Sequence, residues 1–195
     1  MRLKLLIFDL DGTVVENNYD WPAIKEELGV KSGSILAYLD SLPEPERSQK
    51  YAILERHERI QTEKAALKKG IREFLQWLSW SGIRTALVTN NNLENTTLLL
   101  QKFQLNFGLV LTRESGLRKP AGAPFMAVMK TFEVQPDETV VVGDTSYDLL
   151  AAKEASISQI FILKSPMTPE NLEDARLVSS FEEIKEWLAS RLTAI

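Results

Sequence analysis

Leu5-Leu6-Ile7-Phe8 runs without interruption into Asp9-Leu10-Asp11-Gly12-Thr13. A short continuous apolar run reads as a strand buried on both faces, which implies a parallel sheet covered by helices on each side. The two aspartates then stand at its carboxyl tip, the edge of an open α/β sheet where ligands bind. Residues i and i+2 of a strand point to the same side, so Asp9 and Asp11 are expected to face one pocket, with Gly12 marking a turn. Two carboxylates aimed at one spot repel each other, and they persist there only with a metal, a cation or a shared proton.

The remainder of the chain repeats this pattern. Thr85-Ala86-Leu87-Val88 ends at Thr89-Asn90-Asn91-Asn92, and Thr139-Val140-Val141-Val142 ends at Gly143-Asp144. Further strands are expected near 107–111 and over 159–163. Helices are expected between them, at 71–78, 93–104, 124–132 and 146–155. A last helix carries Phe181, Ile184, Leu188 and Leu192 on one face. Strands alternating with helices predict an α/β fold, a Rossmann-like parallel β-sheet sandwiched by helices. Residues 17–69 break the alternation. Asp20-Trp21-Pro22 starts a helix that Gly29 ends, Ser32 can cap a second short one, and Pro43 and Pro45 open a long charged element running to Gly70. The expected organisation is a core of 1–16 and 70–195 with a small all-helical cap domain, 17–69, inserted after the first strand.

Composition excludes several classes. The chain has 195 residues, 44% of them hydrophobic, enough for one full core. No apolar run approaches the roughly 18 residues of a membrane span. The N-terminal run follows Arg2 and Lys4 but is cut by Asp9, so it reads as a core strand rather than a leader. There are no cysteines, so thiolate metal sites and cysteine nucleophiles are out. A net charge of −4 gives nucleic acid no foothold. The expected setting is cytoplasmic, as a monomer or weak dimer with no membrane and no nucleic-acid partner.

Three strand ends therefore carry Asp9/Asp11, Thr89/Asn90 and Asp144/Asp148, and a fourth loop carries Lys119 in Arg118-Lys119-Pro120. Taken singly, Thr-Asn is a common helix start, Lys-Pro a common loop, and Asp144 a possible cap. Their conjunction, in this order and at strand ends, resembles the haloacid dehalogenase superfamily of phosphotransferases. Asp9 to Thr13 looks like its first motif, Thr89 its second, Lys119 its third, and Gly143-Asp144-Thr145-Ser146-Tyr147-Asp148 its fourth. The helical insert after the first motif is similar to a cap of the family's first type. That places the chain near the phosphoglycolate phosphatase and phosphoglucomutase-like branch.

The resemblance implies a Mg²⁺-dependent phosphatase acting on a small phosphorylated metabolite, a phosphoglycolate-like phosphomonoester, through an aspartyl-phosphate on Asp9. Asp9 and Asp144 would ligate Mg²⁺ by side chain and Asp11 by its backbone carbonyl. The Asp11 carboxyl would act as general acid and base. Thr89, the Asn90 backbone N–H, Gly12 and Lys119 would hold the phosphoryl group, and Asp148 would orient Lys119 or a metal-bound water. Physical chemistry agrees: an aspartate is ionised at neutral pH without assistance, and an oxygen-only ligand set suits Mg²⁺. Asp11 favours phosphate chemistry over dehalogenation, which has no alkoxide to protonate, and Leu10-Asp11 is unlike the Lys-Thr of cation pumps. The alternatives are a phosphomutase using the same intermediate and a catalytically silent phosphate-binding protein. Gly122 stands where the third motif often has a second proline, which is expected to loosen the loop after Lys119. His57, the only histidine, is read as a solvated surface residue, Tyr19, Trp21 and Arg56 as packing or surface groups, and Trp77 and Trp80 as packing groups.

Overall fold

Every residue of β1 (Leu5–Phe8) is buried, as its unbroken apolar run requires. The computed structural model describes residues 3–192 except 17, 166, 169 and 173, and omits the side chain of Leu192. Arg2, Asn17, the facing of Leu192 and the final residues 193–195 thus lie outside the described residues. Beside β1, the described residues form β2 (Arg84–Val88), β3 (Leu109–Leu111), β4 (Thr139–Gly143), β5 (Gln159–Leu163) and β6 (Arg176–Val178). The order is β3-β2-β1-β4-β5-β6, with every neighbouring pair parallel. Strand order reverses at β1, and the crevice outside the carboxyl ends at such a reversal is where doubly wound sheets bind ligands. Phe8 is level with Leu87 on one side and Val142 on the other, so Asp9 emerges between the ends carrying Thr89 and Asp144.

The period of two along the strands sorts the two faces. Leu5, Ile7, Ala86, Val88, Val141, Ile160 and Ile162 pack with Phe125, Val128 and Met129 of α6 (Ala123–Phe132) and with Leu149, Ala151 and Ala152 of α7 (Ser146–Glu154). On the opposite face, the Phe8 ring meets Phe74 of α4 (Ile71–Trp80) edge-on at 6.0 Å, and Phe161 meets Trp187 of α8 (Phe181–Leu192) at 5.1 Å. α5 (Leu93–Phe103) follows β2. β6 was not expected: three residues are too few to show a period. Trp77 stacks on Phe74 at 6.0 Å, but Trp80 is 77% exposed, contrary to the expectation that it packs. Two residues past the buried Leu78, it falls on the far side of the helix.

The chain divides into two compact units, Met1–Glu16 with Ala66–Ile195, and Asn17–Ala65. The second contains α1 (Trp21–Leu28), α2 (Ile35–Asp40) and α3 (Glu46–Lys64). Ile24, Leu28, Val30, Leu36, Leu39 and Leu54 form its small core. Asp20 caps α1 by accepting the Ala23 N–H at 3.1 Å, and Gly29 ends it in the left-handed region. Ser34, not Ser32, caps α2, because Gly33 at φ 80° turns the chain between them. α3 stops at Lys64 rather than Gly70: Ala66 to Lys68 are drawn into extended pairing with Val14 to Glu16 of their own unit. His57 is not simply solvated. Its ring Nε2 lies 2.6 Å from Glu27 Oε2, and Arg56 pairs with the same carboxylate. Those hydrogen bonds, from His57 first, hold the Glu27 carboxyl below the usual range. Among the described residues no helix is long and apolar enough to cross a membrane.

Phe8 touches both Phe74 and Phe107 from the centre of the sheet. Phe8→Ala should lower unfolding free energy by about 3–5 kcal/mol, read from the urea midpoint with an unchanged denaturant slope.

Candidate active site

The first unit brings the expected acids and Lys119 together. Asp9 follows β1, Asp144 follows β4, Asp148 sits in the first turn of α7, and Lys119 lies in the loop before α6. The Lys119 Nζ donates to Asp9 Oδ1 at 2.5 Å and to Asp148 Oδ1 at 2.6 Å, all three groups being buried. Carboxylate oxygens of Asp9, Asp144 and Asp148 lie within 4.8 Å of one another.

Local structure divides these acids. Asp148 Oδ2 accepts from the Thr145 N–H at 3.1 Å, the Thr145 hydroxyl at 2.9 Å and the Asp144 N–H at 3.3 Å. Thr145 and Asp148 form the capping box of α7, so Asp144 is not the cap. Neither oxygen of the buried Asp144 carboxylate makes a hydrogen bond of normal geometry, although the Ser165 side chain is near enough to ease its charge. Two glycines permit this crowding. A Cβ on Gly12, whose φ is 90°, would sit 2.1 Å from Asp144 Oδ2, and one on Gly143 would sit 2.3 Å from the Asp148 carboxyl carbon. Gly12 was expected to bind phosphate; the structure places its backbone against the Asp144 carboxylate.

Burial pushes the Asp144 carboxyl up to about 8 and Asp9 up to about 7, with neighbouring acids adding to both and Lys119 opposing. For Lys119, burial alone would favour the neutral amine. Asp148 and Asp9 overcome it and hold the ammonium well above the ordinary lysine range.

The loop after β2 holds the rest. Thr89 Oγ1 accepts the Asn91 N–H at 3.0 Å and keeps its own hydrogen to donate. The Asn90 side chain clamps the backbone of one residue: its Nδ2 donates to the Lys119 carbonyl at 2.8 Å, and its Oδ1 accepts the Lys119 N–H at 3.0 Å. Its own backbone N–H has no acceptor among the described residues. Two neighbours escaped the sequence reading. Asn91 Nδ2 donates to Asp11 Oδ2 at 3.0 Å, and the buried Arg113 donates from Nε to the Asn90 carbonyl at 3.1 Å. The asparagine run was a visible signal for the first; nothing local marks the second. The loop after Lys119 is not loosened by Gly122, since a Cβ there would meet the Ala155 nitrogen at 2.8 Å.

A divalent cation that prefers oxygen fits this donor set. Three clustered carboxylates face one ammonium, which leaves two negative charges uncompensated when all are ionised. Both Asp144 oxygens and Asp9 Oδ2 are without hydrogen bonds of normal geometry, and no soft ligand is at hand.

A family model described as "Haloacid dehalogenase-like hydrolase" matches residues 17–162. The chain belongs to that family, and it is a hydrolase. A haloacid dehalogenase-like hydrolase domain-containing protein of Arabidopsis thaliana is 28% identical over 162 residues, 77% of this chain and 66% of its own length. The chain thus spans just under two thirds of that relative. Phosphoglycolate phosphatase 1 of Pseudomonas aeruginosa is 26% identical over 182 residues, 79% of this chain and 67% of its own. Among solved structures, CbbY from Rhodobacter sphaeroides in complex with phosphate has a TM-score of 0.72 and 23% identity, covering 93% of this chain and 96% of that one. At that identity the likeness is one of fold.

In the presence of chelator the native Asp144 and Asp9 carboxyls hold protons that the unfolded chain has already released above the ordinary 3.8. The native state then binds more protons at these two groups, so their contribution to stability is full below that value and is lost as pH rises through about 7 to 8. The melting temperature of the chelated protein should drop across this window. Asp144→Asn should flatten the drop, and added divalent metal should oppose it at the alkaline end.

Proposed function

We propose that this hydrolase is a Mg²⁺-dependent phosphatase that cleaves a small, phosphoglycolate-like phosphomonoester through an aspartyl-phosphate on Asp9. The observation that carries the reading is the Lys119 ammonium held between Asp9 and Asp148, beside an Asp144 carboxylate with no hydrogen bond of normal geometry. Asp9 Oδ2 and Asp144 would hold Mg²⁺ together with the Asp11 backbone carbonyl. Bound there, the ion supplies positive charge against the repulsion between an anionic nucleophile and an anionic phosphate.

The chain's own groups do the rest. Asp9 attacks phosphorus while Lys119, the Thr89 hydroxyl and the Asn90 N–H hold phosphoryl oxygens. The bond to the leaving oxygen breaks with its electron pair on that oxygen, and the Asp11 carboxyl protonates it. Asp11, now a carboxylate, takes a proton from the water that attacks phosphorus, and Asp9 is released with inorganic phosphate. Asp148 orients Lys119 and does not ligate, since both its oxygens are engaged. We assign the helical unit the role of a small cap domain, and the enzyme a cytoplasmic setting as a monomer or weak dimer. The relative named phosphoglycolate phosphatase supports the substrate class at 26% identity.

Inorganic phosphate release from a panel of small phosphomonoesters, with Mg²⁺ and with chelator, tests the reaction. Mg²⁺-dependent release is expected; a folded protein that binds Mg²⁺ but releases none would point to the phosphomutase or the silent binder. Asp9→Asn should abolish turnover, and Lys119→Ala should cost about 10²–10³ in kcat. His57→Ala, in the other unit, should stay near wild type.

A further inference from the structure

Asp11 is useful as an acid only if its proton sits on an oxygen that can reach the leaving group. Asn91 is built to decide which oxygen that is. Its side-chain amide has one acceptor and one donor end, and the acceptor is committed: Asn91 Oδ1 takes the Asn92 N–H at 2.8 Å. A backbone N–H cannot face an amide NH₂ productively, so the orientation of the group follows from its partner. Nδ2 must then be the end that meets Asp11 Oδ2 at 3.0 Å. The backbone fixes the residue further, because the Asn91 N–H donates to Thr89 Oγ1 and its carbonyl accepts the Arg113 N–H, both at 3.0 Å. Asn91 is 4% exposed, so water does not compete freely for these bonds.

A carboxyl oxygen that accepts an N–H is a poor place for the acidic proton. We infer that Asn91 is a positioning residue, locking the Asp11 carboxyl with Oδ2 as acceptor so that Oδ1 exchanges the proton. The inference rests on the reading of Asp11 as general acid and base. In the first half-reaction Oδ1 gives its proton to the oxygen whose bond to phosphorus breaks. In the second it takes one from the attacking water as the Asp9–phosphorus bond breaks.

A structural role and a positioning role separate by leaving group. The leaving oxygen of phosphoglycolate departs as an alcohol and needs a proton, whereas that of acetyl phosphate departs as a stable carboxylate and does not. The quantity to read is kcat/KM, which reports the first half-reaction. Asn91→Leu should lose about 10- to 100-fold on phosphoglycolate and less than about threefold on acetyl phosphate. Asn91→Asp keeps an acceptor for the Asn92 N–H and offers Asp11 an acceptor instead of a donor; it should show the same selective loss, and it decides the matter if the leucine variant does not fold. Equal losses on both substrates, or no loss on phosphoglycolate, would overturn the inference. Asp11→Asn is measured alongside. Selective loss there with none in the Asn91 variants sinks the positioning role alone. An equal loss in Asp11→Asn, or wild-type enzyme that turns over neither substrate, removes the acid assignment and this inference with it.

Discussion

A single buried ammonium determines how this site is built. Removing charged groups from water is costly unless they are paired and hydrogen-bonded. Lys119 meets that requirement by spanning Asp9 and Asp148 at once, tying a strand tip to the first turn of α7. Much of the neighbouring loop structure serves that geometry. Asn90 grips the Lys119 backbone at both its N–H and its carbonyl, Arg113 grips the Asn90 carbonyl, and close packing at Gly122 limits how far the following helix can shift. A rigid lysine loop is what allows a buried pair of charges to hold one arrangement instead of several.

Four aspartates share this corner, and their environments give them different chemistry. Asp148 has both oxygens filled by the capping box and Lys119, which makes it a strut. Asp144 is buried without a hydrogen bond of normal geometry, so burial penalises its charge and leaves it in need of a cation. Asp9 has one oxygen on Lys119 and the other open, as suits a nucleophile that also faces a metal. Asp11 accepts the Asn91 side-chain amide on Oδ2, a neutral donor that fixes the carboxyl's orientation. Separating titratable groups of one kind by environment is how a site assigns acid, base and ligand.

Much of the fold was legible in the chain because its signals are local. Unbroken apolar runs marked β1, β2, β4 and β5, and turn residues marked most helix ends. The misreadings share a cause. Ser32 and Ser34 are equally good caps by residue type, and only the turn at Gly33 chooses between them. α3 was overextended because its end is set by pairing with Val14 to Glu16, far away in sequence. β6 is too short to show a period, and Trp80 was misplaced because a helix's last turn presents residues to either side.

The sequence by itself determined the parallel sheet, the order of its strand-end motifs and the identity of the acids and Lys119, since each depends on residue type and near neighbours. It could not determine what each side chain would hold. Gly12 was expected at the phosphate, and only the fold shows that its missing Cβ also leaves the space that admits Asp144. Asn90 looked like a backbone donor alone, yet its side chain also fixes the Lys119 loop, and Asn91 drew no role until Asp11 was found beside it. Those assignments come from contacts between residues tens of positions apart. They exist only once the sheet has brought its carboxyl ends together and burial has forced every polar group there to find a partner.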